Sequence, residues 1–539
     1  MTDYGSILAD YPHRLSPFSQ QRAALSASIS KRFFALLMDT GTGKTKVAID
    51  TAAIHYRLGN INAVLIAAPN DVHLQWIIEQ IPEHMPRDIK VRMRAWAASS
   101  AKALRECLEL VTHPLPDCLT IVAMNHEAFA TTKGVNYAKR FLKLYKSLLI
   151  IDESDLAIKN HKAARARAFI NTLGPLAVMR RILTGTPAET PFDLYAQMRF
   201  LHDDILGYTK FIPYKHRYAT WTKNFTTSPK VNAKGQRPVI EYETLEGYQN
   251  LDELHARTAP YIYRIRKEEC MDLPPKLYSR RFVSLSPAQR KVYDELKENS
   301  LLLLKAVEER PQVKPVDVLP LLELSEDELL ARTTSPEGRT TTAIKLTLFL
   351  RLQQVVGGFI TDDAAVTRSI DGTELNPRML ALLRDVELAA KQPYKILIWA
   401  MFRKELEHIA QCIKALGLDC EAIYGQTHSR SDKADAIARF KDPASKLTVL
   451  VTHEQSLGTG MNFVTARNVF YYSSGASARK RKQSEDRCHR IGQNGTVSVI
   501  DYDAHEVQID KRMREFREEK ADFNTSIMTW RATDLRTLL

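Results

Sequence analysis

The chain has 539 residues, of which 44% are hydrophobic and 26% are charged. This is ordinary globular composition, and at roughly 100–200 residues per domain the length predicts about three structural units. Lys and Arg number 76 against 63 Asp and Glu, and the formal net charge of +13 favours a polyanionic partner, although any basic soluble protein would share it.

Short β-rich runs that are apolar on both faces occur in two sets along the chain. The first set is Ala63–Ala68, Leu119–Ala123, Leu148–Ile151 and Arg181–Leu183, and the second is Ile396–Trp399, Leu447–Val451, Val469–Tyr472 and Val497–Ile500. Helix-like segments, such as Arg403–Leu416 and Ser431–Phe440, separate them. This alternation predicts an α/β fold with two parallel sheets, whose ligands bind at the carboxyl ends of the strands.

The residues between the two sets have a different character. Ser286 can cap a long helix from Ala288 to about Val307, and Thr340–Val355 reads as a further long helix. The prolines of Arg310–Pro320 exclude a helix there, and a capping box at Ser325 opens a short acidic helix. The pattern predicts a helical insertion between two sheets.

A glycine-rich loop follows the apolar run Leu36–Met38. The loop, Asp39–Thr45, reads DTGTGKT and precedes an apparent helix, which is the context that a phosphate-binding loop requires. Lys44 would reach the β and γ phosphates, and Thr45 would bind Mg²⁺. Met38 stands where the strict pattern has glycine, so a simple glycine-rich turn is the alternative.

Two carboxylates, Asp152 and Glu153, end another apolar run. One carboxylate can hold Mg²⁺ and the next can orient the attacking water, which suits phosphoryl transfer. A solvated acidic loop is the alternative. Leu183–Pro187 ends a further strand, and its hydroxyls and glycine could sense the nucleotide or a strand backbone, or form only a turn.

The segment Gln483–Gln493, QSEDRCHRIGQ, contains two arginines three residues apart. On a helix, Arg487 and Arg490 would share a face, where guanidinium groups can brace a transferring phosphoryl group. A basic helix face is the alternative. The upstream run Arg479–Lys482 suits a solvated or phosphate-facing patch.

From about Arg14 to about Phe523, these strings resemble the Swi/Snf-type ATPases, the chromatin-remodeller-like branch of helicase superfamily two. The resemblance implies two RecA-like lobes with helical protrusions, ATP hydrolysis between the lobes and DNA in a groove across them. The resemblance implies that the catalytic residues are Lys44, Asp152, Glu153, Gln483, Arg487 and Arg490. It implies that the ATP-binding residues are Gln21, Asp39, Thr40, Gly41, Thr42, Gly43, Lys44, Thr45, Gly458 and Gly460. The Mg²⁺ ligands are Thr45 and Asp152. The DNA-binding or coupling residues are Pro69, Asn70, Trp76, Asn125, Thr184, Gly185, Thr186, Ser456, Asn462, Arg479 and Lys480.

The sequence departs from the family pattern in three places. Asp155 replaces the histidine that ends the D-E-A-H string, and Ala476-Ser477-Ala478 stands where Trp-Asn-Pro is usual. Thr190 stands where the family often has asparagine. These departures concern coupling between the lobes and to DNA.

The expected function is an ATP-dependent translocase on double-stranded DNA that remodels or displaces protein–DNA complexes, with ATP and Mg²⁺ as cofactors. The alternatives are a strand-separating DNA or RNA helicase and a catalytically silent nucleotide-switched scaffold. The expected division is an ATP-binding lobe at 1–255, a linker with helical protrusions at 256–375, a second lobe at 376–510 and a helical tail at 511–539.

The six cysteines form no C-x-x-C pair, so no zinc site is predicted. A disulfide framework is not expected in a chain this long, which predicts a reducing, intracellular compartment. The first residues do not resemble a secretory signal, and no apolar run reaches the ~18–20 residues that span a bilayer. We therefore expect a cytoplasmic monomer without a membrane partner, and a motor of this size suggests a minimal form from a bacterium or a phage.

Overall fold

The computed structural model describes residues 3–185, 188, 190–227, 239–308, 341–361, 366–370, 375–424, 430–454 and 461–518. The chain divides after Asp272 into two compact units, each built around its own sheet. The predicted α/β fold with two parallel sheets is thereby confirmed.

The first unit contains a seven-stranded parallel sheet in the order β3-β4-β2-β5-β6-β1-β9. Its strands are β1 (Phe33–Met38), β2 (Ala63–Ala68), β3 (Val91–Ala95), β4 (Leu119–Asn125), β5 (Ser147–Asp152), β6 (Met179–Leu183) and β9 (Ile262–Ile265). An antiparallel hairpin of β7 (Ala219–Thr227) and β8 (Val239–Tyr248) lies between β6 and β9 in the chain.

Helices cover both faces of this sheet, which is why its central strands are apolar on both sides. They are α1 (Tyr4–Ala9), α2 (Ser19–Ser28), α3 (Lys44–Arg57), α4 (Val72–Gln75), α5 (Ile81–His84), α6 (Ala101–Thr112), α7 (Thr132–Leu144), α8 (Ser154–Ile158), α9 (Ala164–Arg167), α10 (Pro191–Leu201), α11 (Asp203–Leu206), α12 (Phe211–Tyr218), α13 (Leu251–Thr258) and α14 (Lys267–Cys270). Two π-helical turns, Trp76–Gln80 and Ala168–Leu173, interrupt the α-helical segments.

The second unit has a six-stranded parallel sheet in the order β10-β17-β16-β13-β15-β14. Its strands are β10 (Lys276–Val283), β13 (Lys395–Trp399), β14 (Cys420–Ile423), β15 (Val449–Thr452), β16 (Ala466–Tyr471) and β17 (Val497–Ala504). A small hairpin pairs β11 (Phe359–Thr361) with β12 (Thr367–Ser369).

The described helices of the second unit are α15 (Pro287–Glu308), α16 (Thr341–Val356), α17 (Pro377–Ala390), α18 (Arg403–Ala415), α19 (Arg430–Lys441), α20 (Ala478–Glu485) and α21 (Gln508–Glu518). The predicted long helices of the insertion correspond to α15 and α16. These two helices pack against each other and share one apolar core with α21 and the end of β17. The insertion is therefore part of the second unit's core.

The boundaries of the units differ from the expected division in two respects. The first sheet extends past residue 255, because β9 pairs with β1. The expected tail from residue 511 begins within α21, whose Met513 is buried in the second core. The proline-rich stretch at 310–320 and the acidic helix from Ser325 lie outside the described residues.

The described helices include none that is both long enough and apolar enough to cross a bilayer.

Arg181 attaches α2 to the first sheet. Its side chain is fully buried in β6, and its guanidinium donates to the carbonyls of Ser28, Lys31, Arg32 and Arg180 at 2.7–3.0 Å. Burial lowers the pKa of Arg181 to about 9. Three carbonyls at and just after the end of α2, and one in β6, therefore depend on one side chain.

We expect Arg181→Met to lower the free energy of unfolding by about 3 kcal/mol or more, since buried carbonyls would lose charged donors. The control is Arg57→Met, which removes a surface pair with Asp88 at 2.7 Å and should cost less than about 1 kcal/mol. Urea unfolding followed by circular dichroism measures both. Equal losses would contradict the role given to Arg181.

Glu405 is a buried carboxyl in the second unit. Its Oε2 accepts from the amides of Met401 and Phe402, at the start of α18, and from the Ser473 hydroxyl. Burial raises the pKa of Glu405 from 4.5 to about 7, although these donors and Arg378 act in the opposite direction. Folding therefore favours the protonated form of this carboxyl.

A raised pKa in the folded state gives stability that is complete below pH 4.5 and is lost as the pH rises through about 7. For a shift of this size the loss is about 3 kcal/mol. Glu405→Gln should remove this pH dependence, because glutamine does not ionise, and it should keep the fold, because its amide oxygen can accept from the same donors. Hydrogen exchange of α18 amides at pH 5.5 and 8, corrected for intrinsic rates, measures the difference. A slope that is unchanged in Glu405→Gln would refute the assignment.

Candidate active site

The sequence motifs of the first unit meet at the carboxyl edge of its sheet. Strands β2, β5, β6 and β1 are adjacent in that order, and all are parallel. Their carboxyl ends lead into Pro69-Asn70, Asp152-Glu153, Thr184-Gly185 and the loop Asp39–Thr45 respectively. Ligands in open α/β sheets bind at this edge. The fold thus brings together residues that are up to about 150 positions apart in the sequence.

The glycine-rich loop has the backbone that a phosphate cradle needs. Gly41 and Gly43 have φ angles of 87° and 92°, which glycine adopts without strain, and α3 begins at Lys44. Gly43 lies directly against Gln21, since a Cβ at residue 43 would be 1.8 Å from Gln21 Nε2. Gln21 also accepts from the Phe18 amide at 2.9 Å. The structure therefore places Gln21 beside the loop.

The start of the loop is fixed to the last strand of the sheet. The Asp39 amide donates to Ile265 at 3.2 Å, and Asp39 Oδ2 accepts from the Lys267 amide at 3.3 Å. The Thr42 side chain is buried, and both its amide and its hydroxyl donate to the Asp39 carbonyl. Asp39 and Thr42 shape the loop, and Thr40 and Thr45 remain partly exposed beside it.

Asp152 lies at the end of β5 with its carboxylate buried. Trp76 Nε1 donates to Oδ2 at 2.9 Å, and the Glu153 amide donates to Oδ1 at 3.1 Å. Burial raises the pKa of Asp152, whereas the charge of Lys44 and these two hydrogen bonds lower it. Lys44 is thus close enough to act electrostatically on the carboxylate.

Glu153 has a left-handed backbone, with φ 47° and ψ 56°, at the junction of β5 and α8. A non-glycine residue there costs about 1–3 kcal/mol, and such strain is concentrated at functional sites. The Glu153 side chain is buried with Asp152. Both predicted catalytic carboxylates therefore lie at the same point of the sheet edge as Lys44.

Asp155, which replaces the usual histidine, bonds to the next strand. The buried Thr184 hydroxyl donates to Asp155 Oδ1 at 2.8 Å, and Ser154 donates to Gln197 of α10 at 2.8 Å. Gly185 lies against the phosphate loop, where a Cβ would be 3.1 Å from the Thr40 amide. Thr184 is buried, which excludes a direct contact with DNA, and Gly185 is packed on the loop.

The other residues of the first unit that were predicted to bind DNA differ in their exposure to solvent. Asn70 is exposed, Pro69 is partly exposed, and Asn125 donates to Glu127 at 2.9 Å. Trp76 is only 2% exposed and therefore cannot contact DNA directly. The sequence also gave no sign of His126, whose Nε2 donates to the Asp152 carbonyl at 2.9 Å.

The arginines of the second unit lie in a turn, and the expectation that a helix aligns them is wrong. Helix α20 ends at Glu485, before Arg487. Arg487 is buried beside the Trp399 ring, and Arg490 donates to the Met461 carbonyl at 3.3 Å. Burial and the nearby charge of Arg490 lower the pKa of Arg487 to about 10. A bound anion would stabilise the positive charges of these two neighbouring guanidinium groups.

The turn that holds these arginines is fixed by its neighbours. Gln493 Nε2 donates to the carbonyls of Val464, Ala466 and Cys488 at 3.0–3.2 Å. His489 donates to the Pro274 carbonyl at 2.7 Å. The end of the QSEDRCHRIGQ string is therefore structural, and residue type alone did not reveal this.

The basic run before the turn does not act as one patch. Arg481 is bound by Asp501 at 2.6 Å and by Glu485 at 2.8 Å, and it covers the Tyr471 ring. Lys480 is exposed, and Ser477 caps α20 where the family has Trp-Asn-Pro. The remaining predicted residues Arg479, Gln483 and Asn462 are partly exposed. Thr186, Ser456, Gly458 and Gly460 lie outside the described residues.

The residues at the first sheet's edge fit a nucleotide with Mg²⁺. Gly41 and Gly43 give the loop its positive φ angles, and Lys44 starts a helix whose N-terminus favours phosphate. Mg²⁺ is usually held by one or two carboxylates together with substrate phosphates, which matches Asp152 and the Thr45 hydroxyl. Three or more His, Cys, Asp or Glu residues do not gather into a metal cluster anywhere in the described part of the chain.

A family model described as the SNF2-related domain matches residues 31–367, and one described as the helicase conserved C-terminal domain matches residues 378–492. The chain belongs to the SNF2-related family. Its resemblance to the Swi/Snf-type ATPases is thereby confirmed at the level of the family.

Among curated relatives, an uncharacterized ATP-dependent helicase of Mycoplasma pneumoniae is 23% identical over 91% of this chain and 40% of its own length. The SWI/SNF-related matrix-associated actin-dependent regulator of chromatin subfamily A member 1 of Mus musculus is 24% identical over 67% of this chain and 30% of its own length. The SNF2-related chain thus spans less than half the length of these relatives. A solved structure described as the Sulfolobus solfataricus SWI2/SNF2 ATPase core in complex with dsDNA is 20% identical, with 98% of both chains covered and a TM-score of 0.39.

Gly43→Ala should weaken nucleotide binding by about tenfold or more, because the methyl group displaces Gln21 and strains the loop. The matched control is Gly59→Ala, which has a φ of 69° but open space around its Cβ. Both variants should lose about 1 kcal/mol of stability. Titration with a fluorescent ATP analogue separates them, and equal affinities in the two variants would show that the loop is not the nucleotide site.

Proposed function

We propose that this SNF2-related protein hydrolyses ATP with Mg²⁺ and uses the energy to move along double-stranded DNA, where it displaces or remodels bound proteins. The single observation that supports ATP hydrolysis most directly is the meeting of Lys44, Asp152 and Glu153 at one sheet edge beside the glycine loop. The DNA track is inferred from the family and from the net charge of +13.

Each residue has a defined task in this proposal. Lys44 and the loop amides bind the β and γ phosphates, and Asp152 with Thr45 holds the metal. Mg²⁺ held there would neutralise charge on the phosphate oxygens. Glu153 orients the attacking water, and Arg487 with Arg490 braces the transferring phosphoryl group.

The expectation of a nucleic-acid partner agrees with exposed polar side chains in each of the two units. Asn70 follows β2, and Lys480 is exposed on α20. The relative from Mus musculus is named a regulator of chromatin, which agrees with duplex DNA as the track. Contacts to phosphate would make binding sensitive to salt.

We expect the ATPase rate of the full chain to rise at least tenfold with double-stranded DNA, and less with single-stranded DNA or RNA. Rates are compared at matched salt because counterion release changes affinity steeply with salt concentration. Lys44→Ala should abolish turnover with every nucleic acid. Equal rates with and without nucleic acid would overturn the translocase proposal.

The strand-separating helicase is the competing hypothesis. A translocase on duplex DNA displaces the third strand of a triplex without opening a forked duplex, so both substrates are assayed together. Unwinding without triplex displacement would favour the helicase. Turnover that Lys44→Ala removes would exclude the silent scaffold.

A further inference from the structure

The indole of Trp76 is a buried donor that points at the motif carboxylate. Its Nε1 lies 2.9 Å from Asp152 Oδ2, and the two residues are 76 positions apart in the chain. Trp76 is 2% exposed and packs in the core on the α3 face of the first sheet. A tryptophan could fill this core without any hydrogen bond, so the direction of its N–H is an additional feature.

Asp152 accepts hydrogen bonds at both carboxylate oxygens and at its backbone carbonyl. Trp76 donates to one carboxylate oxygen, the Glu153 amide donates to the other, and His126 donates to the backbone carbonyl. Of these donors to Asp152, the indole is the one that comes from the segment after β2. Its bond therefore fixes the rotation of the carboxylate relative to that segment.

The backbone leading to Trp76 is irregular at two points. Asp71 has a φ of 63°, outside the region that non-glycine residues normally adopt, and it precedes the short helix α4. The π-helical turn Trp76–Gln80 then begins at Trp76 itself. Both features change the angular position of the side chains that follow, and irregularities of these kinds occur often at functional sites.

We propose that Trp76 is a positioning residue for Mg²⁺: its indole N–H fixes the Asp152 carboxylate in the orientation that the metal requires. The inference rests on the proposed function of Asp152 as a metal ligand. Hydrogen bonds to a ligating carboxylate orient it, and their loss typically weakens metal affinity or activity by about 10–100-fold. Because Trp76 follows the exposed Asn70 by six residues, the same bond links a surface segment to the metal site.

The chain offers a matched control in Trp96. This second tryptophan is 3% exposed in the same unit, and its Nε1 has no hydrogen-bond partner among the described residues. Trp96→Phe removes a buried indole of the same kind without touching Asp152. Any effect of Trp76→Phe beyond that of Trp96→Phe therefore measures the lost hydrogen bond to Asp152.

The experiment titrates Mg²⁺ at a fixed concentration of a fluorescent ATP analogue, with the full-length protein and each variant. Trp76→Phe should raise the half-saturating Mg²⁺ concentration by about 10–100-fold. Nucleotide binding in EDTA and the values for Trp96→Phe should stay near those of the wild type. In steady-state assays, the ATPase rate of Trp76→Phe should approach the wild-type rate at saturating Mg²⁺, which a general structural defect would not allow.

Equal Mg²⁺ curves for Trp76→Phe and Trp96→Phe would overturn the inference, whatever their melting temperatures. If Trp76→Phe fails to fold, 3-benzothienylalanine at position 76 keeps the shape of the indole without its N–H and gives the same comparison. Lys44→Ala separates the two proposals: if it leaves turnover intact, the proposed function fails. If Lys44→Ala abolishes turnover while Mg²⁺ affinity is normal in Trp76→Phe, only the role of Trp76 fails.

Discussion

The site in the first unit depends on Asp152, a carboxylate that must be able to carry its charge although it is buried at the end of a parallel strand. Asp152 ends a strand whose side chains are all buried, so it has little water to stabilise its charge. The nearby Lys44 and the donors from Trp76 and Glu153 offset part of that cost. A bound divalent cation would offset more. The sheet order β5-β6-β1 is what makes this arrangement possible, because it brings the glycine loop within reach of Asp152.

Several residues around this edge depart from regular backbone geometry. Gly41 and Gly43 have positive φ angles in the loop, and Glu153 and Asp71 have them without the freedom of glycine. Regular strands and helices surround these residues on both sides. The rigid sheet can thus hold a strained turn in place, and the strained turn directs side chains toward one point. Elsewhere among the described non-glycine residues, Asn250 alone has a positive φ.

In the second unit, hydrogen bonds from neighbouring side chains hold the turn that contains the two motif arginines. Arg487 and Arg490 lie in a turn that Gln493 and His489 hold through backbone carbonyls. Arg481, which looks like a member of the basic run, is occupied by Asp501 and Glu485. Arg481 is therefore engaged by two carboxylates within the second unit, whereas Lys480 of the same basic run remains exposed. Burial, together with the nearby charge of Arg490, disfavours the charged form of Arg487, and such a site suits an anionic ligand.

The sequence by itself determined the fold class, the central strands and the motif positions, because apolar runs of β-branched residues and glycine loops act locally. It did not predict β3, β9, β10 or the hairpin β7–β8, whose strands are mixed in polarity. It also placed Arg487 on a helix, since helical spacing in sequence does not reveal where a helix ends. The partners of Asp152, Asp155 and Arg181 were decided only by the tertiary structure. Hydrogen bonds between residues far apart in the chain depend on strand order and packing, which no local pattern of residues encodes.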